Sequence, residues 1–170
     1  MDITVIGGPP GRGTLYWRGR SYPCTLGRSG VRAGKREGDG ASPIGCFALR
    51  AVFYRADRVS LPKTRLPSTA TARDDGWCDA PGDTAYNRQV RMPYRASAEN
   101  LWREDSLYDI VVVLGHNDET VVPGAGSAIF LHLMHDDGGP TEGCVGVERA
   151  LALELVAALG PEDRVCISAG

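Results

Sequence analysis

The chain has 170 residues, 42% of them hydrophobic and 24% charged, which suits one domain spanning residues 1–170 with a real core. Nineteen Lys and Arg against 21 Asp and Glu leave a formal net charge of −2, which excludes the basic footprint of a nucleic-acid or anionic-membrane binder. With 22 glycines and 11 prolines, the composition points to turn-rich strands and away from a helical bundle.

Short strands open the chain at Ile3 to Ile6, Thr14 to Trp17 and Arg20 to Leu26, separated by glycine turns. Gly27 to Ser42 is a polar, glycine-rich loop carrying Arg28, Arg32, Lys35 and Arg36. Ala48 to Phe53 reads as a buried strand, and Arg55 to Tyr94 as a long irregular stretch of the kind that carries function or conceals structure. Ala96 to Arg103 is expected to form a short helix capped by Ser97. Ile110 to Leu114 suits a fully buried strand, with Ala128 to Leu133 as its antiparallel neighbour. Glu148 to Leu159 is the clearest helix, stopped by Gly160 and Pro161, and Arg164 to Ser168 closes the chain as a strand.

No apolar run approaches the roughly 20 residues that span a bilayer. The start, Met1-Asp2-Ile3-Thr4, lacks the basic and long apolar regions of a secretory signal, so a cytoplasmic location is expected. The five cysteines, Cys24, Cys46, Cys78, Cys144 and Cys166, fit neither a zinc ribbon nor a disulfide framework, and are expected to be reduced.

The chemistry concentrates between Ile129 and Val147. His132 ends a strand, and a polar loop leads to Thr141-Glu142-Gly143-Cys144-Val145 just before the helix. An imidazole near a thiol is the requirement for cysteine nucleophilic catalysis. The helix start is expected to favour the thiolate, and backbone N–H groups beside it to hold an oxyanion. Gly143 leaves room beside the sulfur. His116 and Asn117 follow the strand ending at Leu114, His135 lies in the loop with Asp136 and Asp137, and Arg32, Lys35 and Arg36 can pair with a substrate carboxylate. Trp77 and Tyr86 either cap a pocket or anchor the long loop.

These residues carry a resemblance. His132 and the Thr141-Glu142-Gly143-Cys144-Val145 segment resemble the signature of the L,D-transpeptidase catalytic domain, or YkuD domain. Upstream, Ser42-Pro43-Ile44-Gly45-Cys46-Phe47 is similar to that family's Ser/Thr-Pro-x-Gly-x-Phe segment, so the likeness runs over about residues 22 to 168. It implies a mainly β fold, a β-rich α+β sandwich with one helix after the nucleophile loop. The implied enzyme is a cysteine acyltransferase that cuts peptidoglycan stem peptides at the L,D bond before D-alanine, with no cofactor and no metal. Carried over, Cys144 is the nucleophile, His132 the base, and Gly143 with Cys144 the oxyanion donors. Glu142 stands where many members have a second histidine, Gly146 where arginine or asparagine is common, and Leu133 where a small residue is usual.

A cytoplasmic setting favours water as acceptor and hence an L,D-carboxypeptidase of muropeptide recycling, the alternative being an L,D-transpeptidase that forms cross-links or exchanges D-amino acids. Two further readings stay open: a metal-dependent hydrolase using His116, His132, His135 and Cys144, and a non-catalytic muropeptide-binding module. The sequence leaves the oligomeric state open.

Overall fold

The computed structural model describes residues 2–170, and these are 38% strand and 6% helix. In chain order the strands are β1 (Ile3–Gly7), β2 (Arg12–Trp17), β3 (Arg20–Thr25), β4 (Val31–Arg32), β5 (Ser42–Pro43), β6 (Gly45–Tyr54), β7 (Ser68–Ala70), β8 (Asp75–Cys78), β9 (Gln89–Arg91), β10 (Ala98–Asn100), β11 (Ile110–Leu114), β12 (Phe130–Leu133) and β13 (Val145–Val147). The helix α1 (Arg149–Ala158) and the last strand β14 (Arg164–Ala169) follow.

Nine strands form one sheet in the order β11-β12-β13-β3-β2-β1-β14-β6-β7, and a β6–β11 pairing closes it into a ring. The long β6 makes this closure possible. Its first half pairs with β14, from Gly45 opposite Ile167 to Ala48 opposite Arg164, and its second half pairs with β11. Arg50 is the extra residue at the junction, since Val113 faces Ala51 while Leu114 faces Leu49. Such a bulge bends the strand. It also switches the inward positions of β6 from Phe47 and Leu49 to Val52, which all belong to one core.

That core takes alternate residues from every strand of the ring: Ile3 and Val5, Leu15 and Trp17, Ile110 and Val112, Leu131 and Leu133, Val165 and Ile167. Helix α1 fills it with Leu151, Ala152, Leu155 and Val156. Its N-cap, Glu148, makes no side-chain cap, and packing of the apolar face supplies the stability instead. The buried carboxylate of Asp109 anchors the helix start by accepting hydrogen bonds from Arg149 and, at 3.1 Å, from Arg58. Phe53, Val111, Val113, Phe130 and Cys144 face the other way and form a second apolar cluster with Leu101, Leu107 and Tyr108.

Two expectations are corrected. Residues 98–100 form the strand β10, not a helix capped by Ser97, because Ala98, Glu99 and Asn100 pair antiparallel with Cys78, Trp77 and Gly76. β10 thereby joins β8 and β9, both from the segment expected to be irregular, in a three-stranded sheet. The cysteines are not all reduced. Cys46 and Cys166 lie directly opposite each other in the β6–β14 pair and form a disulfide, while Cys24, Cys78 and Cys144 are free. A sequence separation of 120 residues hid the pair from any reading of spacing. Among the described residues, no helix is long and apolar enough to cross a membrane.

The bridge closes a long loop across the seam of the ring. Alkylation of the unfolded, unreduced chain should label three cysteines and, after reduction, five. Reduction is expected to lower the unfolding free energy, measured by denaturant titration, by about 2–5 kcal/mol. Asp109→Ala should cost about 2 kcal/mol in the same titration, below the value for a fully buried ion pair because both arginines reach solvent.

Candidate active site

The parallel pairing of β12 with β13 sets Leu131 opposite Val145 and His132 opposite Gly146. Continued one step back, the register places Cys144 beside Phe130, and the Phe130 N–H donates to Cys144 Sγ at 3.4 Å. His132 lies two residues further along the same strand face, about 7 Å by strand geometry. Leu131 and Leu133 point into the ring core while His132 points out, as the period of two requires. Both side chains line one cavity of about 460 Å³.

The thiol and the imidazole share the cavity without a direct hydrogen bond. Cys144 Sγ donates to the Ala128 carbonyl at 3.2 Å. His132 Nδ1 lies 2.7 Å from the Leu133 carbonyl, an acceptor only, which assigns the proton to Nδ1 and leaves Nε2 as the basic nitrogen. Burial pushes the Cys144 thiol up to about 12; the Glu99 charge adds to that, and the Phe130 N–H and the Lys35 charge oppose it. Burial pulls His132 down to about 4 against the Leu133 hydrogen bond. At neutral pH both groups are therefore uncharged.

This overturns the expectation that a helix start favours the thiolate. Strand β13 separates Cys144 from α1, which begins only at Arg149. The dipole effect fades within one turn of the helix end. Gly143 has φ +143°, and a Cβ there would stand 2.8 Å from the Ala41 carbonyl oxygen, so the residue must be glycine to let the loop pass. Its N–H, expected to serve an oxyanion, donates to Thr141 Oγ1 at 3.1 Å, while the Thr141 hydroxyl donates to the Cys144 carbonyl at 2.7 Å. Gly146 also has a local reason. It lies between His132 and Thr25 in the sheet, where a Cβ would collide with Thr25 Oγ1.

Of the remaining expected residues, Lys35 and Glu142 line the cavity. Lys35 holds a buried ion pair with Asp39, and the exposed Glu142 pairs with Arg28 at 3.1 Å. His135 also lines the cavity. Arg32 and Arg36 are exposed outside the lining. His116 lies elsewhere, its Nε2 2.9 Å from the Ala125 carbonyl oxygen and its ring edge-on to Phe47. Asn117 closes its own loop through Val122 and Gly126. Trp77 packs edge-on against Phe130, and Tyr86 donates to Glu37, so both are anchors. Among the described residues, no three His, Cys, Asp or Glu side chains converge to hold a metal ion.

Several lining residues escaped the sequence reading: Glu37, Asp79, Glu99, Arg103 and Tyr108. So did Asn87, whose buried amide accepts from the Ala128 N–H at 3.1 Å and thereby positions the carbonyl that receives the thiol proton. They come from stretches without periodicity, and only the fold brings them together.

The model of the L,D-transpeptidase catalytic domain, YkuD, matches residues 11–167. The chain belongs to this family. Neither the comparison with curated proteins nor that with solved structures found a match. The β-rich fold with one helix agrees with the family. As an L,D-transpeptidase-type enzyme the chain departs from an ion-paired thiolate site in its neutral thiol and imidazole. The rate of Cys144 carbamidomethylation by iodoacetamide is accordingly expected to stay well below that of free cysteine at pH 7. It should climb about tenfold per pH unit from neutral pH towards 12, read by mass spectrometry of the Cys144 peptide.

Proposed function

We propose that Cys144 and His132 carry out acyl transfer on peptidoglycan stem peptides at the L,D bond preceding a terminal D-alanine. The single observation that carries this reading is the convergence of the thiol and a basic imidazole nitrogen on one cavity of a chain in this family. A thiol alone is a weak nucleophile and needs a base to take its proton. His132 Nε2 is that base, its tautomer set by the Leu133 carbonyl.

Substrate entry displaces the Cys144 S–H from the Ala128 carbonyl and turns it towards Nε2. The sulfur attacks the amide carbonyl as its proton passes to His132. The Cys144 N–H faces the developing oxyanion, and Gly143 joins it only by releasing Thr141 Oγ1. The tetrahedral adduct collapses, the C–N bond breaks, and His132 returns the proton to the departing D-alanine amine. A thioester remains on Cys144. Attack by water completes an L,D-carboxypeptidase cycle; attack by an amine completes transpeptidation.

The expected preference for water rested on a cytoplasmic setting, where no polymeric wall offers an amine. The Cys46–Cys166 disulfide favours the second reading, because such bonds persist in oxidising compartments, where the polymeric wall also supplies amine acceptors.

Incubation of the protein with a defined murein tetrapeptide, with and without an added D-amino acid, should release D-alanine, and mass spectrometry of the products separates hydrolysis from exchange. Cys144→Ala should abolish release; a Cys144→Ala enzyme as active as the parent would overturn the proposal. His132 must be neutral to accept a proton and stays so down to about pH 4, so the acid limb of kcat/KM is expected near 4 rather than 6.5.

A further inference from the structure

Tyr108 takes no part in the steps above, yet it is the side chain that touches the base. It is buried, and its ring meets the His132 imidazole edge-to-face with centroids 5.1 Å apart and an interplanar angle of 69°. Phe130 packs against the same ring at 6.0 Å. The phenol donates a hydrogen bond to the carboxylate of Glu99 on β10, and Glu99 lines the cavity together with Tyr108, His132 and Cys144. Arg103 places its guanidinium 5.2 Å from the ring centroid.

His132 needs such a contact to hold its plane. Its one hydrogen bond, Nδ1 to the Leu133 carbonyl, fixes a direction in the ring plane but not the tilt of that plane. An edge-to-face contact with a ring anchored by its own hydrogen bond supplies that missing constraint.

We propose that Tyr108, held by Glu99, is a positioning residue that sets the plane of the His132 imidazole and shields it from water. The proposal rests on His132 being the base in the acyl-transfer reading. The charged and titratable groups facing this unit are Arg103 and Asp105 from the turn before β11, His135 from the loop after β12, Glu99 from β10, and Cys144. Burial raises the Tyr108 phenol well above its usual range and raises Glu99 too, so the phenol keeps its proton throughout the working pH range.

The test compares Tyr108→Phe, Tyr108→Leu and Glu99→Gln with the parent chain, each checked for an unchanged circular dichroism spectrum. Tyr108→Phe keeps the ring but loses the hydroxyl grip; it and Glu99→Gln should lower kcat by roughly tenfold with KM unchanged. Tyr108→Leu removes the ring and should cost roughly 100-fold or more. It should also move the His132 titration, followed by NMR of the imidazole ring protons, upward from about 4 as water reaches the ring.

The proposal is overturned if the folded Tyr108→Leu chain keeps both kcat and the His132 titration of the parent. It is overturned too if Tyr108→Phe and Glu99→Gln change only KM. Should Tyr108→Leu fail to fold, the two conservative variants decide on kcat. If the parent chain releases no D-alanine, the acyl-transfer reading fails separately. The His132 titration and the alkylation rate of Cys144 in the three variants then still decide whether Tyr108 controls the imidazole, and unchanged values in all three reject it.

Discussion

One parallel pairing, β12 against β13, determines where the reactive groups stand. Two strands that run the same way present matching ends to each other, so the residue entering β13 sits beside the residue entering β12. Cys144 therefore meets Phe130, and His132 follows two steps along on the same face. The alternation of a strand buried on both faces does the rest: Leu131 and Leu133 fix the strand in the ring core and force His132 outward into the cavity. A slip of one residue in this register would send the imidazole into the hydrocarbon interior and bring a leucine to the sulfur. The nonpolar core thus enforces the geometry of the polar site.

Burial also governs the electrostatics. Desolvation is the largest influence on both Cys144 and His132, and it acts in opposite directions because one group becomes charged by losing a proton and the other by gaining one. Cys144 has local partners suited to a neutral thiol: an N–H aimed at the sulfur and a carbonyl that receives the S–H. Lys35 is the nearby cation that favours the thiolate, but Asp39 already engages it. Proton transfer is then coupled to whatever the substrate brings into the cavity.

The strands β11 and β12 were legible because Ile110 to Leu114 and Ala128 to Leu133 are nearly continuous apolar runs, and α1 was legible from its fourfold leucine spacing and Gly160 stop. Residues 96–103 misled because a window of polar and apolar residues that short fits a helix turn as well as a strand, and only pairing with β8 decided the matter. The Cys46–Cys166 bond was invisible for the same reason, being a product of register between strands far apart in the chain. The candidates His132, Gly143 and Cys144 stand in a local motif. Glu99, Tyr108 and Asn87 do not, since the partner that each touches is brought to it by the fold from elsewhere. Gly146 shows that a departure from a familiar pattern can have a plain steric cause in the neighbouring strand.

Closure of the main sheet has a further consequence. Each strand of the ring has neighbours on both sides, which leaves the three-residue, fully exposed β7 as the sheet's free edge. A rim that short and polar is a poor template for strand addition by another molecule, the first step of cross-β assembly. Parting any two strands of the ring would bare two edges at once, and across β6 and β14 the Cys46–Cys166 bond opposes that covalently.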